Sequence, residues 1–329
     1  MVRLKKNSAH PELVEERRAG KKKVKIKSGR YTIETSNDDK ILFGKSGITK
    51  GELINYYDYI APIMIPYCDH RPISMHRFPN GIHKEGFFQK DASDYFPDWI
   101  KTVSIRKQTD GAVNYVIIDK PATLIYLANQ ACITPHIWLS RADKLKNPDR
   151  MIFDLDPSWK NFSFTDIQQT AKEIKKILDS CDLPTFYMLT GSRGVHIIVP
   201  LKRIHTFEET RAFAHDVAAL LAQKFPQHMT IQINKKKRGK RIFIDWLRNS
   251  FGATTVAPYA VRAHEGAPVA MPITCKELLL SGMHSQKYNI KNIKKRIRKV
   301  GDLWETIEKN AVSLKKARKK LDQLIKESS

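Results

Sequence analysis

The chain has 329 residues, enough for one large core or two modest ones, and 58 Lys and Arg against 34 Asp and Glu give it a formal charge of +24. Such an excess favours a polyanionic partner, nucleic acid first. The absence of a long apolar run argues against a membrane protein, and Cys68, Cys132, Cys181 and Cys275 are too scattered for a disulfide framework or a zinc site, so a soluble, intracellular protein with core thiols is expected.

Along the chain, residues 1–30 carry Lys5, Lys6, Arg17, Arg18, Lys21, Lys22 and Lys23 with few large apolar side chains, the composition of a basic N-terminal arm. Residues 31–280 have the patterning of a folded domain. In 48–65, Leu53, Ile54, Tyr57, Ile60 and Ala61 recur at helical spacing, with Thr49 placed as N-cap and Pro62 and Pro66 expected to end the helix. Short apolar runs at 113–119, 152–155, 185–189, 195–199 and 242–247 predict strands, and 164–178 and 207–225 predict amphipathic helices between them. Residues 281–329 are basic again, and 290–300 and 303–325 read as surface helices packed on or extending the domain. The sum is an α/β or α+β domain without internal repeats.

Three motifs carry chemistry. In Ile152-Phe153-Asp154-Leu155-Asp156-Pro157 the strand period of two turns both carboxylates to one face, and Pro157 leaves them at a rim. Their repulsion calls for a cation, and a hard divalent ion suits oxygen ligands. The bland alternative is one capping Asp beside one solvated Asp. Next, Thr190-Gly191-Ser192-Arg193-Gly194 between two apolar runs predicts a hairpin whose glycine turn admits phosphate oxygens, with Arg193 and His196 as further contacts. An ordinary turn beside a satisfied histidine would look the same. Finally, Arg238-Gly239-Lys240-Arg241-Ile242-Phe243-Ile244-Asp245 brings a single carboxylate into an apolar strand, where a metal, a cleft or Arg248 must compensate its burial. Three acids are the number commonly used to hold two metals for phosphoryl displacement.

At these motifs the sequence resembles the archaeo-eukaryotic primase superfamily, and most closely the polymerase domain of DNA ligase D. Further matches are Asn37-Asp38-Asp39-Lys40, Thr49-Lys50-Gly51, Arg77-Phe78-Pro79-Asn80-Gly81, Phe87-Phe88-Gln89-Lys90, His136-Ile137-Trp138-Leu139-Ser140 and Thr255-Val256-Ala257-Pro258-Tyr259-Ala260-Val261-Arg262. The resemblance implies an α+β primase-polymerase core with a mixed or antiparallel central sheet flanked by helices, an RRM-like palm. It implies a prokaryotic, cytoplasmic, nucleoid-associated enzyme that fills gaps and extends ends in non-homologous end joining. Asp154, Asp156 and Asp245 would hold two Mg2+ or Mn2+ ions. His136, Thr190, Arg193, His196 and Arg262 would line the pocket for an NTP or dNTP, with ribonucleotides as the possible preference. Asn37, Lys40 and Lys50 match the grip on a DNA 5′ phosphate, and Phe87 and Phe88 match aromatics that stack on the template. Double-stranded DNA with gaps, breaks or 3′ overhangs would be the partner, with Ku and a DNA ligase implied by the pathway. Where the family usually has Lys-Thr before Ser-Gly, this chain has Met188-Leu189 before Thr190-Gly191.

Other readings stay open. The glycine turn also resembles that of replicative primases, although no zinc-binding cluster accompanies it. A ligase would need Lys-x-Asp-Gly, and Lys107-Gln108-Thr109-Asp110-Gly111 has one residue too many. A non-catalytic, basic DNA-end-binding module would explain the charge equally well.

Overall fold

The structure is a computed structural model that describes residues 14–16, 23–107 and 110–328. Lys5, Lys6, Arg17, Arg18, Lys21 and Lys22 of the basic arm lie outside the described residues. The first sheet has three antiparallel strands, β1 (Val14–Glu16), β2 (Lys23–Ser28) and β3 (Tyr31–Ser36). Thus Lys23 already belongs to a strand, held because Ile26 and Ile33 face each other and are buried. A two-stranded hairpin, β4 (Ile41–Phe43) and β5 (Ile48–Thr49), then feeds α1 (Lys50–Cys68).

Thr49 caps α1 in a complete capping box with Glu52, as its sequence predicts. The helix does not stop at its prolines: Pro62 and Pro66 lie inside it, and it closes only where the Asp69 amide donates to Ile65 O. Each proline removes one helical donor. Burial of Ile60, Ala61, Met64, Tyr67 and Cys68 along the same segment offsets that loss.

Two six-stranded sheets form the body. One contains β6 (Ile73–Arg77), β7 (Phe87–Gln89), β8 (Thr102–Arg106), β9 (Ala112–Val116), β10 (Cys132–Trp138) and a later strand, with α2 (Pro121–Asn129) on the path. The other is built from β11 (Arg150–Pro157), β12 (Phe186–Leu189), β13 (Val195–Pro200), β14 (Met229–Thr230) and β15 (Ile242–Asp245), with helices α3 (Phe164–Ser180) and α4 (Phe207–Lys224). β16 (Thr254–Val256) returns to the first sheet beside β10, and β17 (Met271–Ile273) completes the second, in the order β14-β15-β11-β13-β12-β17. Only the β14–β15 pair is parallel in that second sheet. This is the mixed, helix-flanked α+β architecture that the sequence leads one to expect.

Three short helices follow: α5 (Cys275–Leu278), α6 (Ile293–Val300) and α7 (Leu314–Lys326). The sequence predicts one helix over 303–325, but α7 starts only at Leu314. Val312 interrupts it by bridging to the sheet, donating to Pro200 O and accepting from the Lys202 amide. Its N–H and C=O are thus paired with the end of β13 and not within a helix.

Candidate active site

The register of the second sheet assembles the acids. On β11, Phe153 and Leu155 are fully buried beneath α3 and α4, so alternation sends Asp154 and Asp156 to the opposite face. Asp154 is directly opposite Asp245 on β15 and His196 on β13. Residues paired across strands share a face, so all three carboxylates and the imidazole project together. β15 can end at Asp245 because Asn249 takes over its pairing: the Asn249 amide side chain accepts from Ile152 N and donates to Ile152 O, each at 2.8 Å. Between them, residues Trp246–Asn249 form one 3-10 turn, capped by Asp245 Oδ1 on the Leu247 amide at 3.0 Å.

Arginines cover the acids. Arg248 Nε lies 3.2 Å from Asp154 Oδ2 and 3.3 Å from Asp245 Oδ2, while Arg193 donates to Asp156 Oδ1 at 2.8 Å. Their consequences for ionisation diverge. Burial would raise the Asp154 carboxyl, but His196 at 3.5 Å and Arg248 outweigh it and hold it well below the usual carboxylate range. Burial and the neighbouring Asp154 instead push Asp245 up, and burial raises Asp156 despite Arg193, with Asp154 adding to the rise.

The glycine turn between β12 and β13 is built for close approach. A Cβ on Gly194 would stand 2.0 Å from Leu155 O, and Gly191, at φ +66°, would meet Arg262 Cγ at 2.8 Å. Thr190 is buried and spends its hydroxyl on the turn itself, donating to Gly194 O at 3.0 Å, with Ser285 Oγ 3.1 Å away. Arg262 donates to Thr190 O at 2.7 Å, and His264 Nε2 is 2.9 Å from Ser192 Oγ. The turn is therefore fixed from three sides.

The pocket beside it has a volume of about 190 Å3 and is lined by His136, Asp154, Asp156, Thr190, Arg193, His196 and Arg262, together with Ser192, Gly194, Arg248 and residues 254–256. Every nucleotide-pocket residue named from the sequence is in that lining, as are two of the three acids; Asp245 lies one strand away. Burial and the nearby Arg262 hold the His136 imidazole well below its usual range, and its Nε2 is buried without a partner. Burial lowers Arg262 to about 10, which leaves it a cation at neutral pH. Thr255 and Ser192 are residues whose part the sequence reading did not assign. Thr255 Oγ1 lies 3.3 Å from His196 Nδ1 and so fixes the ring whose other nitrogen meets Asp154.

An aromatic ledge adjoins the pocket. Phe87 and Phe88 on β7 are 47% and 55% exposed. Phe88 stacks on His76 at 4.1 Å and meets His136 edge-on at 5.3 Å, while the Arg77 guanidinium lies over Phe87. Asn37, Lys40 and Lys50 also come together: Lys40 N donates to Asn37 O, and Lys50 N donates to Lys40 O at 2.8 Å. Asn37 and Lys40 are exposed, whereas Lys50 is buried with its ammonium 2.8 Å from Asn129 Oδ1, and burial lowers its pKa.

Residues 49–304 match the protein family described as LigD, primase-polymerase domain. The chain belongs to that family. It is 31% identical over 281 residues to the multifunctional non-homologous end joining protein LigD of Mycolicibacterium smegmatis, covering 85% of this chain and 36% of that protein. With the bifunctional non-homologous end joining protein LigD of Bacillus subtilis it shares 30% identity over 270 residues, 82% of this chain and 43% of the other. The chain thus spans less than half the length of these LigD relatives. Among solved structures, the polymerase domain from Mycobacterium tuberculosis ligase D in complex with DNA is similar with a TM-score of 0.79 and 29% identity, covering 85% of this chain and 99% of that one.

Among the described residues, no three His, Cys, Asp or Glu side chains stand closed around one point, and Arg248 and Arg193 lie against the acids. The donor set nevertheless fits a divalent ion: all three groups are oxygen acids on one face, and two of them are held up by burial with Asp154 adding to the rise. The covering side chains of Arg248 and Arg193 are 44% and 46% exposed, on the solvent side of the acids. Among the described residues, no helix is long and apolar enough to cross a membrane.

Proposed function

We propose that this chain is a template-dependent nucleotidyltransferase that fills gaps and extends DNA ends in non-homologous end joining. The observation that carries the reading is the shared face of Asp154, Asp156 and Asp245, beside a pocket rimmed by Arg193, His196 and Arg262. Asp154, Asp156 and Asp245 would hold two divalent ions, Mg2+ or Mn2+, whose chemistry when bound is charge neutralisation and Lewis-acid activation at a phosphoryl centre.

The protein's own share is positioning and charge. Arg193, Arg262 and the amides of the glycine turn would hold the triphosphate of an NTP or dNTP. His196, held at Nδ1 by Thr255, would turn its Nε2 from Asp154 to the nucleotide as cations take the acid, and the unpartnered Nε2 of His136 offers a further contact. Arg248 would leave Asp154 and Asp245 as cations load. Phe87 and Phe88 would stack on the unpaired template, and Asn37 and Lys40, supported from below by Lys50, would take the 5′ phosphate of the strand beyond a gap. Ku and a DNA ligase are the partners the pathway implies, in a cytoplasmic, nucleoid-associated setting, and ribonucleotides are the proposed preference.

A second reading rests on the Arg248 bridge, which would make the acids a structural ion-pair network in a DNA-end-binding module. Primer extension on a gapped duplex, with Mg2+ or Mn2+ and with ribo- or deoxyribonucleotides, separates the two. Asp154→Ala and Asp245→Ala should abolish extension while DNA affinity persists. Extension at the wild-type rate by both variants would leave only the second reading.

A further inference from the structure

Glu265 does not line the pocket, yet its carboxylate joins three segments that the proposed reaction uses. It accepts from the Lys45 and Ser46 amides at 3.1 and 3.0 Å, and its Oε2 lies 3.0 Å from Ser46 Oγ. His83 Nε2 is 2.6 Å from Oε1. Two successive amides aimed at one carboxylate make a small anion-holding turn. The contact runs both ways, because the Gly266 amide donates to Ser46 Oγ at 3.3 Å.

Each joined segment leads to a different part of the site. The turn 44–47 connects β4 to β5, and these strands run directly from the Asn37–Lys40 turn to Lys50, whose amide bonds to Lys40 O. His83 lies on the segment that leads to Phe87 and Phe88 and packs so tightly on Gly44 that a Cβ there would stand 2.6 Å from the ring. Beside Glu265 itself, His264 meets Ser192 in the glycine turn, and Arg262 holds Thr190 O. A single half-buried acid therefore links the segment that leads from Asn37 and Lys40 to the one that leads to the glycine turn.

We propose that Glu265 is a positioning residue through which a 5′-phosphorylated strand, gripped near Asn37 and Lys40, tightens the nucleotide pocket. The inference rests on the polymerase reading above. A downstream strand can act on nucleotide affinity through the shared template or through the protein, and only the second route depends on Glu265. Linkage requires the effect to be reciprocal.

The test uses the full chain, a dideoxy-terminated primer and a non-hydrolysable ribonucleoside triphosphate analogue. Its affinity is measured on primer–template with and without a 5′-phosphorylated downstream strand. The wild type should bind the analogue about fivefold or more tightly with that strand, the lower end of ordinary coupling. Glu265→Ala should bring the ratio close to one and leave affinity without the downstream strand within about twofold; Ser46→Ala, which removes only the hydroxyl, should fall between. The donors left behind by Glu265→Ala are near the surface and can turn to water, so the fold should persist, as circular dichroism would register. A wild-type ratio retained in Glu265→Ala overturns the proposal, as does equal weakening on both substrates or a wild-type ratio of one. Wild-type protein that neither extends a primer nor binds the analogue overturns the polymerase reading and this inference with it.

Discussion

Asp154 and Asp245 face each other across β11 and β15, and one guanidinium, that of Arg248, touches both carboxylates. The two acids are nonetheless unequal. Asp154 also has His196 and is held ionised, whereas Asp245 has burial and its neighbour's charge against it. In metal-free buffer Asp245→Asn should therefore raise the melting temperature or leave it unchanged, and Asp154→Asn should lower it. The contrast expected is about 1–2 kcal/mol, a few degrees for a chain of this size. Addition of Mn2+ should raise the wild-type melting temperature by linkage and do much less for either variant. Two variants with the same metal-free shift would contradict this account of the pair.

Gly194, in the turn that enters β13, sets a steric limit on β11. Its missing side chain would fall 2.0 Å from Leu155 O, between the two acids of β11. Gly194→Ala must push β11 and β13 apart, at a cost of about 1–3 kcal/mol by analogy with overpacked cores. Because the displaced backbone carries Asp154 and Asp156, nucleotide addition should fall far more than stability does. Thermal melting and primer extension on the same preparation check this; full activity in a stable Gly194→Ala protein would show that the strands have room to spare.

Much of the site was legible because strand periodicity is strict. Asp154 and Asp156 differ by two, so a shared face follows from the residue numbers, and the buried Phe153 and Leu155 agree. The cap at Thr49 was legible because a Thr just before an apolar helical repeat can satisfy an end amide locally; the reciprocal bond from Glu52 emerged only in the structure. What depends on distant partners was not. Asn249 replaces a strand by bonding both backbone groups of Ile152, 97 residues away. Lys50 has the composition of a surface cation but is drawn inward by Asn129. Pro62 and Pro66 obey a local rule against helix interiors until the packing of α1 overrides it.

His76 offers a test in pH. Burial, with Arg262 adding to it, lowers its imidazole from 6.5 to about 4. Its folded pKa lies below the unfolded value, so the unfolded chain binds the proton more readily. The contribution to stability is complete above about 6.5 and is lost as pH falls through 6.5 toward 4. The ring is only half buried, so solvent screening should keep the loss to on the order of 1 kcal/mol. A melting series from pH 7.5 to pH 5 should fall less steeply for His76→Phe than for wild type; parallel curves would remove His76 from the account. The same substitution keeps an aromatic surface beneath Phe88, so template binding at pH 7.5 should survive it.

The ledge of Phe87 and Phe88 and the basic surface around Lys40 should separate by salt. Stacking of a base on an aromatic face is worth about 1–3 kcal/mol and releases no counterions. Phe87→Ala and Phe88→Ala should therefore weaken binding of a gapped duplex with an unpaired template by a factor that stays constant as salt rises. Both side chains are about half exposed, so neither change should unfold the protein. Lys40→Ala should act differently, because loss of one phosphate contact lowers the slope of log affinity against log salt by about 0.7–0.9. Fluorescence anisotropy across a salt series measures slope and intercept together. A slope altered by the Phe variants and unaltered by Lys40→Ala would reverse the two assignments.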